Sequence, residues 1–305
     1  MACAGTCAIS RCVVTLASGQ SNLERLAVDS TNVYWLNQAS GGCNGALMKA
    51  PIAGGTAAPL VSSIGTQGYL AIDSSAVYFD DSICSNGSVV VRSVPKAGGT
   101  PATLATSTST FAATGLAVDT GSVYFSQQGF MGTAGEVWVV PKAGGTFTSL
   151  ATGMAPGSLS VDSTNLYWAD ASSGGLFKTP VVGGGSTKIS NDLINTIDST
   201  ATDGTNVFWS TSTGSNDHVV QLAVAGGTQT PLAQGLSYPR GVIVDGGFVY
   251  WNNPLQNTIV RVPVGGGTVT TIVTGYAAVA LAVDSTSLYW TVGGSAGKVM
   301  KATPK

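Results

Sequence analysis

LAVDSTNVYW, residues 26–35, packs an apolar run, an Asp-led polar turn and a β-branched, aromatic run into ten residues. Its aspartate returns at Asp29, Asp73, Asp119, Asp162, Asp203, Asp245 and Asp284, at intervals of 44, 46, 43, 41, 42 and 39. A period of roughly 40–45 residues fits either a four-stranded propeller blade or a helical repeat. Helix formers decide between them. The chain holds only two glutamates, Glu24 and Glu136, against 41 glycines. The spacing therefore predicts an all-β, seven-bladed β-propeller.

Each unit reads alike. LAVD is apolar on both faces, where a half-exposed strand would alternate, so it is expected innermost. DSTN is a turn whose Asp or Asn side chain can accept from nearby backbone N–H groups. VYW is a second strand. After a variable polar loop, a third strand ends in PIAGGT at 51–56, PKAGGT at 95–100 and 141–146, and PVGGGT at 263–268. PVVGGGS at 180–186 and AVAGGT at 223–228 are looser copies. Paired glycines supply the positive φ that a tight hairpin needs, and the proline belongs where the ladder stops.

The count closes on itself. KATPK, 301–305, aligns with RSVPK, 92–96, so the last unit stops before its fourth strand. VVTLASG, 13–19, matches the fourth strand PATLATS, 101–107. The N-terminal strand is thus expected to pair with the last blade and close the ring, removing a sheet edge. The division expected is a cysteine-containing segment over 1–12 and a single propeller domain over 13–305.

PRGVIVDGGFVYWNN, 239–253, resembles the YWTD-type repeat of receptor propellers, and the resemblance spans all seven units. The chain is also similar to bacterial exported repeat proteins with D-x-x-x-V-Y-W units preceded by a segment like CAGTCAISRC. It departs from the receptor pattern after the aromatic pair, with Leu36-Asn37, Ala169-Asp170 and Thr291-Val292 in place of Thr-Asp. The likeness implies the fold and an extracellular, periplasmic or cell-surface location. It implies no particular ligand, because propellers serve many functions.

Composition narrows the partners. The chain has 305 residues, 44% hydrophobic and 9% charged, with a net charge of −2. Repeat folds escape the usual single-core size limit, because each unit buries its face on its neighbour. No basic patch suits nucleic acid, and no run is long enough for a spanning helix. MACAGTCAISRC lacks an apolar h-region, so an export signal is expected outside this sequence. Cys3, Cys7, Cys12, Cys43 and Cys84 do not show zinc spacing. A disulfide framework suits them better, and Cys43 and Cys84, in the same loop of adjacent blades, form a candidate pair.

The seven repeat aspartates are read as structural, each capping its turn or bonding the next blade. The alternative, a ring of carboxylates holding a cation, would suffer mutual repulsion. Function is expected on the opposite, top face, where loop sequences vary. Asn37, Asp80, Asp81, Gln127, Asp170, Asn252 and Asn253 follow the aromatic pair. Tyr69, Tyr238, Arg240 and Tyr276 come from the connections between blades. Such amides, carboxylates and aromatics suit a carbohydrate, peptide or protein ligand. Asp80-Asp81 could meet Ca²⁺ together with loop carbonyls, but no loop of alternating acids accompanies them. The apolar pair Phe130-Met131 is either a contact patch or tucked under its loop.

Catalysis looks poorly provisioned. The single histidine, His218, and Glu136 open the third strands of blades five and three, on the order of 20 Å apart by strand spacing. That exceeds the reach of an acid–base pair. Asp217 could orient His218, but no G-x-S-x-G elbow offers a nucleophile. The expectation is a monomeric, cofactor-free, non-catalytic binding or scaffold protein. The alternatives are a metal-dependent lyase or lactonase propeller and a purely structural repeat module.

Overall fold

A computed structural model describes residues 6–8, 11–38, 43–65, 68–82, 88–107, 113–129, 134–190, 197–214 and 216–305. Every regular element among them is a β-strand. The strands form seven antiparallel sheets, six of four strands and one of five, arranged as a β-propeller. The LAVD-type segments are the inner strands: Leu23–Val28, Leu70–Ile72, Ala113–Val118, Pro156–Val161, Ile197–Thr202, Arg240–Asp245 and Ala278–Val283.

The ring closes through its N-terminus. Strand Arg11–Gln20 pairs with Gly297–Thr303, setting Cys12 opposite Thr303 and Thr15 opposite Met300. Segment 1–12 does not stand wholly apart, since Thr6–Ala8 adds a fifth strand to this sheet. The Arg11 guanidinium donates to the carbonyls of Pro304 and Ile272, each at 2.7 Å. At the far end of the strand, Gln20 Oε1 accepts from Trp35 Nε1 at 3.1 Å and Asn37 Nδ2 at 2.9 Å. One strand therefore bonds both sides of the closure.

The aromatic pair explains why blades stack. Side chains on a strand alternate, so its two members face opposite neighbours. Tyr34 packs with Val77 and Phe79 of blade two, while Trp35 packs with Ala282 and Tyr289 of blade seven. The same split sends Tyr250 forward and Trp251 back. Seven buried clusters result, one in each seam between blades. The core is thus a ring of seams rather than one central mass.

The bottom face is a repeated hydrogen-bond lattice. In every blade the residue after the turn proline, or after Ala223 in its place, donates its N–H to the Asp-led turn, as Ile52 does to Thr31 and Lys305 to Thr286. Six of the seven repeat aspartates accept from backbone N–H groups of their own turn, as Asp29 does from Thr31 and Asn32, both at 2.8 Å. Five also accept a tyrosine hydroxyl from their own second strand.

Asp245 is the exception. Its turn is built on Gly246 and Gly247, at φ of 57° and 78°, and its carboxylate meets Lys305 Nζ instead. That contact belongs to a second pattern, in which the lysine after the turn proline reaches back one blade. Lys96 pairs with Asp29 at 2.9 Å and Lys142 with Asp73 at 2.7 Å.

Candidate functional site

The channel is built from one column of the repeat. Counting four residues back from each repeat aspartate gives Arg25, Tyr69, Gly115, Ser158, Ser199, Gly241 and Ala280. The inner strand reaches this position through an irregularity in pairing. In blade one Leu26 faces Trp35, but Leu23 faces Asn37, so the inner strand carries one extra residue. Five other blades repeat the shift. A β-bulge re-aims side chains near the end of a strand, and all seven residues of this column line a single cavity of about 150 Å³.

The lining is lopsided. Arg25 and Tyr69 supply the bulk on one side, while the other five blades offer hydroxyls, a methyl group or bare backbone. The Arg25 guanidinium carbon sits 4.5 Å from the centre of the Tyr69 ring, and Arg25 donates to Tyr69 Oη at 3.1 Å. Cation–π stacking of this kind fixes the plane of the guanidinium. Arg25 is the one charged residue lining the cavity, and no ion pair to it exists among the described residues. Opposite, Ser158 Oγ accepts from Thr200 N at 3.0 Å and Ser199 Oγ from Val242 N at 2.6 Å. Each hydroxyl thereby ties two inner strands together.

Behind this column stands a second one, the first residue after each aromatic pair. Asp80 Oδ1 accepts from Tyr69 N at 2.8 Å, and Thr291 Oγ1 from Ala280 N at 3.1 Å. Asp80 is buried and its Oδ2 has no partner. Burial pushes its carboxyl up to about 7, against the pull of the Tyr69 amide and of Arg25. Asn252 occupies the same place in blade six. It is fully buried, and neither its Oδ1 nor its Nδ2 has a partner. A side chain on Gly241 would come within 3.3 Å of that Nδ2. Buried polar groups left unpaired cost free energy, and each calls for an explanation.

Tyr69 alone among the top-face residues expected from sequence lines the channel. Most others serve the blades. Asn37 accepts from Trp35 and donates to Gln20. Asp81 accepts from Gly65 N at 2.6 Å and pairs with Arg92 at 3.1 Å. Gln127 accepts from Ser107 Oγ, and Asp170 from the amides of Ala155 and Ser172. Asn253 accepts from Trp251 Nε1 at 3.0 Å. Tyr276 packs edge-on against Trp290 at 5.3 Å. Tyr238 and Arg240 remain exposed, Tyr238 at φ 55° with its amide on Asp217 Oδ2. Cys84, Phe130 and Met131 lie outside the described residues, and with them the expected Cys43–Cys84 bridge.

Sequence reasoning missed Arg25, Ser158 and Ser199. The signal was present: three residues before each aspartate the column is Leu in five of seven blades, and one step further back it changes in almost every blade. His218 and Glu136 both lie on third strands, in the second place of Asp217–Ala223 and Gly135–Pro141. Two strand spacings, about 10 Å, separate such strands from the inner ring. Among the described residues no group of three His, Cys, Asp or Glu side chains could hold a metal ion. A wider hollow of about 630 Å³ opens on the bottom face, but its Asp73, Asp119 and Asp162 are committed to their turns.

No protein-family model matches the chain, and no curated protein matches it in sequence. Solved structures do match it in shape. Virginiamycin B lyase from Staphylococcus aureus superposes with a TM-score of 0.72 at 13% identity, over 97% of this chain and 99% of the lyase. A catalytically inactive variant of the same lyase with quinupristin gives 0.73 at 12% identity, with the same coverage. A nidogen/laminin complex gives 0.56 at 19% identity, over 77% of this chain and 89% of the matched one. These likenesses show the fold. They also correct one expectation: propellers of this shape include lyases, so few Glu and His residues and a missing nucleophile elbow do not make the chain a non-enzyme.

Proposed function

We propose that this chain is an exported propeller that binds a small polar ligand, a sugar or a short peptide, at the top mouth of its central channel. One observation carries the reading: a single repeat column, different in nearly every blade, lines one cavity with a stacked Arg25–Tyr69 pair on one side and small groups on the others. At about 150 Å³ the cavity is smaller than a drug-sized pocket, so it takes one group of a ligand whose remainder lies across the top loops. Tyr238 and Arg240 are exposed on that side. The Cys43–Cys84 bridge belongs to the same reading, because disulfides persist in oxidising compartments.

The test is a thermal-shift screen of the purified chain against monosaccharides, oligosaccharides and short peptides, each with and without Ca²⁺, Mg²⁺ or Zn²⁺. A ligand specific to the folded state raises the melting temperature by mass action. Ligand-dependent shifts abolished by Ser158→Tyr, which fills the channel, support the reading. Shifts untouched by that change remove it.

A lyase reading also has an observation behind it, the match to virginiamycin B lyase over nearly the whole of both chains. Incubation with quinupristin and Mg²⁺ tests it, read as chromatographic loss of the compound. His218 stands about two strands from the channel wall, so turnover that survives His218→Ala would assign the chemistry to the channel residues.

A further inference from the structure

Arg25 is a cation waiting for an anion. Its side chain is half-buried and lines the channel. Tyr69 takes one of its donors, and a guanidinium has five. Among the described residues no carboxylate lies within ion-pair distance of it. Asp81, one residue from Asp80, is already neutralised by Arg92 at 3.1 Å. Asp80 is buried and bound to the Tyr69 amide, so it is held in place beside the stack. Burial, the largest influence on it, raises its carboxyl well above the ordinary range, which weakens its opposition to Arg25. Asp80 also stands outside the cavity lining, so the positive charge faces the cavity.

The far wall fits the same kind of guest. Ser158 and Ser199 accept from backbone amides, and their hydroxyl contacts to Thr200 at 3.4 Å and Ser210 at 3.5 Å lie at the limit of hydrogen bonding, so each proton can turn to donate to a guest instead. Donors thus come from both sides into a space of about 150 Å³, large enough for a carboxyl group and too small for a whole sugar ring with its shell of water.

We infer that the channel of this propeller recognises the carboxylate of an acidic ligand, with Arg25, stacked on Tyr69, as its anchor. This rests on the reading that the channel mouth is the binding site. Planar carboxylate on planar guanidinium allows two parallel hydrogen bonds, which a lysine cannot reproduce. A phosphate is the less suitable guest, because Arg25 is the one charged residue in the lining and leaves a second negative charge without a partner.

Paired ligands test the inference: galacturonate against galactose, and a short peptide with a free C-terminus against its amide. Binding is read by calorimetry at pH 6 with the full chain and with its Arg25→Gln, Arg25→Lys and Tyr69→Phe variants, each checked first for an unchanged melting temperature. The expected result is binding of the acid of at least one pair, at least tenfold weaker binding of its neutral partner, and a loss of tenfold or more in both Arg25 variants. Should acid and neutral partners bind alike and Arg25→Gln change nothing, the carboxylate anchor is overturned while the channel-mouth reading stands. Inorganic phosphate binding in place of both acids overturns the ligand class. No binding of any of them overturns both readings.

Discussion

Lys96 Nζ of blade two lies 2.9 Å from Asp29 Oδ2 of blade one and also covers the Tyr34 ring, 5.8 Å from its centre. Both charged side chains are mostly buried, at 14% and 19% exposure. One lysine thus holds together a turn, an aromatic and a seam. Exposed ion pairs contribute little, but a pair taken partly out of water leaves a costly remnant when broken. We expect Lys96→Met and Asp29→Asn each to lower stability by about 1–2 kcal/mol. Their double variant should be less damaging than the sum, by on the order of 1 kcal/mol. Urea unfolding of the four proteins measures this, and strict additivity would mean the contact contributes nothing.

Acid should unfold the ring through these turns. Partial burial opposes ionisation of Asp29, but the Asn32 and Thr31 amides and Lys96 outweigh it and hold the carboxyl well below its ordinary range. For Asp73, burial is likewise outweighed, here by Lys142 and the Ser75 and Ala76 amides. A carboxyl depressed in the folded state contributes stability that is fully present above its unfolded value, near 4, and is lost as the pH falls below it. The melting temperature should therefore drop steeply below about pH 4. Asp73→Asn should start lower and show a shallower fall.

Asp80 should act with the opposite sign. Its carboxyl is raised, chiefly by burial, to about 7. Between its unfolded value near 4 and that point the folded chain binds the extra proton, so stability falls as pH rises, with a slope of at most about 1.4 kcal/mol per pH unit. Asp80→Asn removes the titration. The variant should gain on the parent between pH 4 and pH 8, read as the difference in melting temperature at the two ends. A constant difference across that range would show that Asp80 does not titrate there.

Closure by the N-terminal strand makes a further prediction. Leu16 and Ala17 are buried in the seam between blades seven and one, and Arg11 and Gln20 anchor the two ends of the strand. Leu16→Ala should cost about 2–3 kcal/mol. Removing residues 1–20 should lower the melting temperature by far more, since it exposes the edge of Gly297–Thr303 and opens one seam. A truncated chain that melts within about 1 °C of the full one would show that the strand closes nothing, because even 1 kcal/mol moves a chain of 305 residues by about 1.5 °C.

Legibility differed between fold and site for a physical reason. Blade number, inner strand and closure follow from packing rules that repeat seven times, so Asp29 and its six counterparts report them redundantly. The site depends on where single side chains point after the ladder ends. Asn37, Asp81 and Asp170 look like ligand contacts in sequence, yet strand alternation turns them toward Gln20, Gly65 and Ala155, on the connections that enter their blades. Arg25 reads as part of a strand entry until the one-residue bulge between Leu23 and Leu26 aims it at the channel. Neither the bulge nor the stacking on Tyr69 has a local signature.

Gly115 offers the strictest check on that channel geometry. A Cβ there would lie 2.8 Å from Gly157 O, Leu159 Cγ and Ser126 Oγ at once, and two of these three atoms belong to the next blade. Thr114 Oγ1, beside it, donates to Pro156 O at 2.6 Å, so the two inner strands have no slack to separate. Overpacking of this kind costs about 1–3 kcal/mol. Gly115→Ala should therefore lower stability by that amount. Gly121→Ala, where a Cβ meets open space, should leave it within about 0.5 kcal/mol. Equal effects at the two sites, measured by chemical unfolding, would mean that the inner strands of blades three and four do not approach this closely.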